Sequence, residues 1–354
     1  MTKVGCRREL RILQIVNPVI PVPPTHHGGV ERIADGLIAG LLKRGHRVTL
    51  AAHPDSGAPA EKWPLASALP PSRPRPCRDL LRLSALLRAE PFDIVHNHGR
   101  LLYLLPLSAR NIPRVQTFHL VINPRTQARL KQLRMLCGKK LCCVSVSDQQ
   151  RHELDHDGAW ETVYNGIALD RYHFQASVDD RAPLVFLGRV EPDKGTDIAI
   201  QVAKASRRRL MIAGPYHGDP GDWRDYWEQI ILPQVDGRQV IYLGPVDDQQ
   251  KNSLLGNCSA LLMPVQWEEP FGLVMAEALA CGTPVIGFGR GAIPEVISHG
   301  ETGFVCRTVG DMVDAVGAIS TLSREACRKR CERLFSEEVM VKAYESLYFR
   351  LAGA

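Results

Sequence analysis

Along almost all of its 354 residues the chain alternates short apolar runs with apolar residues at helical spacing, and the alternation starts afresh near the middle. Arg11–Asn17 (RILQIVN) is the first apolar run, and it ends in a Pro-rich loop, Pro18–Pro24. Gly28 and Gly29 follow. Ile33, Leu37, Ile38, Leu41 and Leu42 then fall on one face of a helix predicted over Val30–Arg44, which Gly45 stops before a second strand, His46–Ala52. Parallel strands cannot be joined by a tight turn. A strand–loop–helix–strand order therefore commits the chain to a parallel sheet covered by helices.

The pattern continues through a Pro-rich loop at Ala58–Pro76, a helix at Asp79–Leu87 and strands at Phe92–His96, Val115–His119 and Leu141–Val146. A helix over Arg125–Cys137 lies between the last two, and a further short strand is expected at Val163–Ile167. Ala168–Pro183 is polar and irregular and reads as the boundary between domains. Beyond it strands are expected at Leu184–Leu187, Arg209–Ala213, Val240–Leu243, Ala260–Met263, Pro284–Gly287 and Gly303–Cys306. The fold class is α/β, with two doubly wound halves and a cleft between them. The expected domains are 1–170 and 171–335, with 336–354 a terminal helix packing back across the boundary.

With 45% hydrophobic and 23% charged residues the composition is that of a globular protein. No run approaches the roughly 18 apolar residues that span a bilayer. Met1–Glu9 is charged and lacks the apolar stretch of a secretory signal, so a cytoplasmic protein is expected. The ten cysteines are scattered; Cys327 and Cys331 are four apart with no His or second Cys pair to complete a zinc site, and reduced, idle thiols are expected. Residues 1–170 carry 24 Lys and Arg against 14 Asp and Glu, a net of +10, whereas 171–354 carry 20 against 24, a net of −4. The basic half suggests an anionic partner. No RNA motif or zinc finger accompanies it, which argues against nucleic acid.

Three segments carry chemistry. The strongest is Glu268–Thr283 (EEPFGLVMAEALACGT), where Glu269 and Glu277 bracket a helix that Pro270 is expected to start and Gly282 to end. Free N–H groups of Phe271, Gly272 and Leu273, at the positive end of the helix dipole, suit a phosphate. A carboxylate two turns on can accept two hydrogen bonds from a vicinal diol such as a ribose. The plainer alternative is a capped helix with solvated glutamates. The second segment, Gly188–Gly195 (GRVEPDKG), follows the strand Leu184–Leu187 directly. It sets Arg189 and Lys194 at a strand's C-terminal edge, where α/β sheets bind ligands, and two fixed cations can neutralise a departing diphosphate. The alternative is a surface turn with incidental charges. The third, His26–Glu31 (HHGGVE), is either a tight turn or, through Gly28 and Gly29, a place where backbone approaches a phosphate. It lacks the full spacing of a dinucleotide fingerprint.

In this order the segments resemble the retaining glycosyltransferases of the two-Rossmann-domain (GT-B) type known as glycosyltransferase family 4, over the stretch from Gly28 to Gly303. The resemblance implies two Rossmann-like domains facing across a cleft, and a hexosyltransferase that needs no metal or other cofactor. Its donor is a nucleotide-diphosphate sugar, with UDP favoured over GDP. By this resemblance Arg189 and Lys194 hold the donor diphosphate, Glu269 faces the hydroxyls of the transferred sugar, and Glu277 holds the ribose. The backbone N–H groups of Phe271, Gly272 and Leu273 meet sugar and phosphates, and the backbone of Val246 reads the base. His119, ending VQTFH, matches a first-domain histidine beside the sugar and the acceptor; as a lone residue it reads as a strand-end histidine with its bonds satisfied.

His96 and His98 in VHNHG stay open between contact with the acceptor, through His98, and a structural hydrogen bond; two histidines so spaced make no metal site. The helix bearing Arg125, Arg129, Lys131 and Arg134, with Lys139 and Lys140 after it and Leu130, Leu133 and Leu136 between the charges, is either a solvated face or a peripheral contact with the inner membrane surface. A lipid, a small molecule and a glycan all remain open as acceptor. The rival readings are an epimerase or phosphorylase on the same architecture and a non-catalytic nucleotide-sugar binding protein. An NAD-dependent dehydrogenase is weaker, because neither half has a full G-x-G-x-x-G after its first strand.

Overall fold

The computed structural model describes residues 8–25, 28–65, 76–108, 110–137, 140–152, 159–216 and 222–353. His26, His27 and Lys139 lie outside them. The chain divides into two compact units, one of Met1–Gly166 with Glu337–Ala354, the other of Ile167–Ser336.

The first unit runs β1 (Arg11–Ile15), α1 (Gly29–Lys43), β2 (Arg47–Ala52), β3 (Glu61–Pro64), α2 (Pro76–Ala89), β4 (Ile94–Asn97), β5 (Arg114–Phe118), α3 (Pro124–Cys137), β6 (Leu141–Ser145), α4 (Asp148–His152) and β7 (Ala159–Thr162). All seven strands are parallel, in the order β3-β2-β1-β4-β5-β6-β7. Buried on both faces, the inner strands read as continuous apolar runs. The strand order reverses direction between β1 and β4, and ligands of open α/β sheets settle outside the C-terminal ends at such a point.

Two expectations fail at the sheet's edges. Ala58–Pro76 was expected as loop throughout, yet Glu61–Pro64 pairs with β2 from Thr49↔Glu61 to Ala52↔Pro64. A polar edge strand with a terminal proline carries no apolar signal, and proline is tolerated there because one side needs no partner. The strand expected at Val163–Ile167 lies earlier, at Ala159–Thr162, pairing with β6, and Ile167 makes only an isolated bridge with Ser336.

The second unit runs β8 (Leu184–Leu187), α5 (Thr196–Ala205), β9 (Leu210–Ala213), α6 (Asp222–Asp225), β10 (Val240–Gly244), α7 (Asp248–Asn257), β11 (Ala260–Met263), α8 (Leu273–Ala280), β12 (Val285–Phe288), α9 (Ile293–Val296), β13 (Gly303–Cys306), α10 (Val309–Gly317) and α11 (Arg324–Leu334). Its parallel sheet has the order β10-β9-β8-β11-β12-β13, with the reversal between β8 and β11. Seven of the eight cysteines whose side chains are described are buried, and burial pushes the thiols of Cys258, Cys281, Cys327 and Cys331 up to about 12, so they stay protonated.

The last helix, α12 (Glu337–Ala352), belongs to the first unit, where it lies along α1. Two glycines permit this. A Cβ on Gly36 would stand 2.2 Å from Glu337 Oε1, and one on Gly40 would stand 2.4 Å from Val341 Cγ2. Buried Glu345 on the same helix meets His46 Nε2 and Arg44 Nη1, each at 3.2 Å.

Candidate active site

In the second unit, three loops leave the C-terminal ends of neighbouring strands at the reversal point and brace one another. The loop after β8 accepts from its neighbour: Gln266 N–H bonds Asp193 O at 2.7 Å. Gly195 sits at φ +72°, and a Cβ there would meet Pro264 O at 2.1 Å, so only glycine lets the loops after β8 and β11 touch. After β12, Ala292 N–H donates to Glu269 O at 2.8 Å and Gly291 N–H to Glu268 Oε2 at 2.5 Å.

This bracing brings the sequence motifs together. Lys194 Nζ lies 2.9 Å from Glu269 Oε2 and 4.5 Å from the centre of the Trp267 ring, two neighbours that hold the ammonium by charge and by the ring's π-face. Arg189 Nη1 lies 2.6 Å from Glu191 Oε1; the Glu191 side chain is buried whereas that of Arg189 is 54% exposed, so the guanidinium reaches outward from an anchored partner. Glu277 accepts from Lys251 Nζ at 2.6 Å and from the Tyr172 hydroxyl at 2.7 Å, and Lys251 also stands over the Tyr172 ring at 5.7 Å. Each cation of the site is thus balanced by a carboxylate.

The helix after the first glutamate begins later than its proline suggests. Pro270 and Phe271 are buried and non-helical, with Phe271 packed edge-on to Phe335 at 5.6 Å. Gly272, at φ +75°, turns the chain into α8, which starts at Leu273. Packing of Phe271 overrides the preference of proline for the first helical turn. Val246 lies in the turn between β10 and α7, just before Asp247, whose side chain caps α7 in a reciprocal pair with Gln250. Gly28 precedes α1 at φ +148°, and Gly29 opens the helix. A Cβ on Gly28 would lie 2.8 Å from Glu31 Oε2, so a carboxylate already covers this helix start; burial pushes that carboxyl above the ordinary glutamate range.

In the first unit the histidines form one buried network at the ends of β4 and β5. His96 is fully buried, with Nδ1 on the Tyr348 hydroxyl at 2.5 Å and Nε2 on Thr117 Oγ1 at 2.7 Å, so its role is structural. His98 has Nε2 on Gln14 Oε1 and Nδ1 on His119 Nε2, both at 2.9 Å. Burial drives His96 and His98 well below the ordinary imidazole range, and His119 down to about 4. All three are neutral bases at physiological pH.

The sequence alone did not mark Lys251, Tyr172, Glu191, Gln14 or Tyr348. Lys251, which also pairs with Asp248 three residues away at 3.4 Å, belongs to no motif, and Tyr172 sits in the irregular boundary segment. Among the described residues no group of three or more His, Cys, Asp or Glu side chains is placed to hold a metal ion.

Two α/β units, one bearing paired cations and carboxylates at its reversal point, define a glycosyltransferase of the GT-B class. The chain belongs to glycosyltransferase family 4: the profile described as Glycosyltransferase Family 4 matches residues 27–171, and the profile described as Glycosyl transferases group 1 matches residues 170–335. It is 28% identical to a phosphatidyl-myo-inositol mannosyltransferase of Mycobacterium tuberculosis over 86% of each chain. Some other curated relatives are matched over only 52–54% of their length. Among solved structures it resembles a glycosyltransferase involved in avilamycin A biosynthesis (25% identity, TM-score 0.70, 98% of this chain and 99% of that one). It also resembles Anabaena HepE in complex with UDP-glucose (17% identity, TM-score 0.73, 96% and 99%).

Proposed function

We propose that this glycosyltransferase moves a hexose from a nucleotide-diphosphate sugar, UDP-linked in preference to GDP-linked, to an acceptor hydroxyl with retention at the anomeric carbon. The observation that carries the reading is the contact of Lys194 with Glu269, which joins a phosphate-type cation to a sugar-type carboxylate at the reversal point. The UDP-glucose held by Anabaena HepE supports the choice of nucleotide.

In this reading Arg189 and Lys194 take the donor diphosphate, and their charge stabilises it as it leaves. Glu269 holds the transferred sugar's hydroxyls, and the N–H groups of Phe271, Gly272 and Leu273 complete that end. Glu277 takes the ribose diol, exchanging part of its bonding with Lys251 and Tyr172, and the backbone of Val246 meets the base. In the first unit the Gly28–Gly29 turn also serves the donor, and His119 serves sugar and acceptor. The acceptor hydroxyl attacks the face the diphosphate vacates, its proton passing to the leaving oxygen, and the cations make a metal unnecessary. The acceptor is a lipid, a glycan or a small molecule, and the reaction takes place in the cytoplasm or at the inner membrane surface.

The test is a thermal-shift screen of UDP- and GDP-sugars, since a ligand that binds only the folded state raises its melting temperature, followed by determination of the product's anomeric configuration. A product of inverted configuration, or no shift with any nucleotide sugar, overturns the reading.

A further inference from the structure

The hydrogen bonds that end on His119 begin on the last helix of the chain. Tyr348, on α12, is fully buried, and Gln14 Nε2–H donates to its hydroxyl at 3.2 Å. The same amide's Oε1 is 2.9 Å from His98 Nε2, so that nitrogen carries the proton and donates. His98 is neutral: it is buried with no carboxylate among its hydrogen-bond partners, its ring centre lies 3.9 Å from that of His96, and burial holds its imidazole well below the ordinary range. A neutral ring with its proton on Nε2 has a bare Nδ1, so across 2.9 Å the donor is His119 Nε2–H. That leaves His119 with a bare Nδ1, which among the described residues has no partner in the chain.

We propose that Tyr348 and Gln14 are positioning residues that fix the tautomers of His98 and His119, so that His119 meets a substrate hydroxyl as a hydrogen-bond acceptor through Nδ1. The inference rests on the placement of His119 beside sugar and acceptor given above. It assigns the C-terminal helix a part in the reaction: the Tyr348 hydroxyl, donating to His96 Nδ1 and accepting from Gln14, orients the amide, and the amide decides which nitrogen of each following ring is bare. A substrate hydroxyl then donates a hydrogen bond to His119 while its oxygen lone pairs stay free. With the tautomers reversed, His119 would present an N–H and bind that oxygen instead. The relation is that of an outer partner fixing the tautomer of an imidazole that works elsewhere.

The test uses the full chain labelled with 15N-histidine, in which long-range proton–nitrogen spectra read each tautomer. In the unaltered protein both His98 and His119 are expected with the proton on Nε2; either one found with it on Nδ1 overturns the proposal without any variant being needed. In Tyr348→Phe, His98 is expected as a mixture of tautomers, with kcat lowered about tenfold or more and the donor KM unchanged. Tyr103→Phe removes a buried hydroxyl from the same unit, where it bonds Asp79. This control is expected to lower the melting temperature alone. A Tyr348→Phe enzyme with unaltered kcat and a single His98 tautomer overturns the proposal. The underlying placement is tested separately: full activity in His119→Ala sinks that placement, whereas an inactive His119→Ala beside a fully active Tyr348→Phe sinks only the positioning role.

Discussion

Lys194 Nζ sits 2.9 Å from Glu269 Oε2, and the two residues come from loops that follow different strands, β8 and β11. The pair is mostly buried, so neither charge can be removed without leaving the other uncompensated. Substitution at one position is therefore felt at both.

Arg189→Ala and Lys194→Ala should each lower kcat at least tenfold, because a preorganised cation facing a developing charge contributes about 2–4 kcal/mol. Both variants should also lower the melting temperature, Lys194→Ala through Glu269 and Arg189→Ala through buried Glu191, each of which loses its cation. The double variant should lose less than the two single losses combined, since both cations serve one diphosphate. Steady-state kinetics beside thermal melts check this, and a near-normal rate in either single variant contradicts the assignment.

Glu277→Gln should mainly raise the donor KM, because ribose is bound alike before and during transfer. Glu269→Gln should mainly lower kcat. A hydrogen bond to a carboxylate contributes roughly 1.5–3 kcal/mol, so shifts of about ten- to a hundredfold are expected. Titration with UDP alone separates the two, weakening with Glu277→Gln and little changed with Glu269→Gln. Equal weakening with intact kcat would show the division of roles to be wrong.

Transfer should persist in EDTA. Arg189 and Lys194 supply the positive charge that a divalent ion would otherwise bring to the diphosphate. Loss of activity that magnesium or manganese restores would sink this expectation.

The first unit should lose stability in mild acid. Above about pH 6.5, where imidazole titrates in an unfolded chain, neither state binds the extra protons. Below it the unfolded chain binds protons that buried His98 and half-buried His119 refuse, so stability falls by up to about 1.4 kcal/mol per pH unit for each ring. For His119 the loss ends as the folded form itself titrates, at about 4. Urea unfolding between about pH 7 and pH 5 measures the slope. His119→Gln should make it shallower, and an unchanged slope would remove His119 from the account.

Helix α3 should bind an anionic membrane surface. Arg125, Arg129 and Lys131 are exposed beside Met135 and Leu136, which are 86% and 58% exposed, and Leu120 before the helix is 69% exposed. No helix among the described residues is long and apolar enough to cross a membrane, so any contact through α3 is peripheral. Sedimentation with phosphatidylglycerol vesicles should carry the protein down and phosphatidylcholine vesicles should not. Each basic residue near such a surface contributes about 1 kcal/mol, so Arg125→Glu with Arg129→Glu should abolish binding. Equal binding to both vesicles would point away from the basic face.

What the sequence made legible follows from burial. Inner strands such as Leu184–Leu187 and Ala260–Met263 are apolar throughout because both faces are covered, and Arg189, Lys194 and Glu269 stand out because they lie in the loops that follow such strands. Edge strands carry no such mark: Glu61–Pro64 is largely polar and exposed, and Ala159–Thr162 is half-exposed. Lys251, Tyr172 and Tyr348 escaped for another reason. Tyr172 lies 105 residues from Glu277, and Tyr348 lies 252 residues from His96, so only the folded sheet makes them neighbours.

The placement of α12 against α1 and beneath the histidines also sets an order of events at the ribosome. Residues 167–336 emerge whole and can fold as a nascent unit, whereas the earlier Met1–Gly166 must wait for a segment made after them. Until Tyr348 has left the exit tunnel, His96 lacks the hydroxyl on Nδ1 and the glycines of α1 face solvent instead of Glu337 and Val341. The half of the enzyme translated first is the half completed last, and a ribosome that stalls before α12 has emerged leaves it open to proteases while its neighbour is already closed.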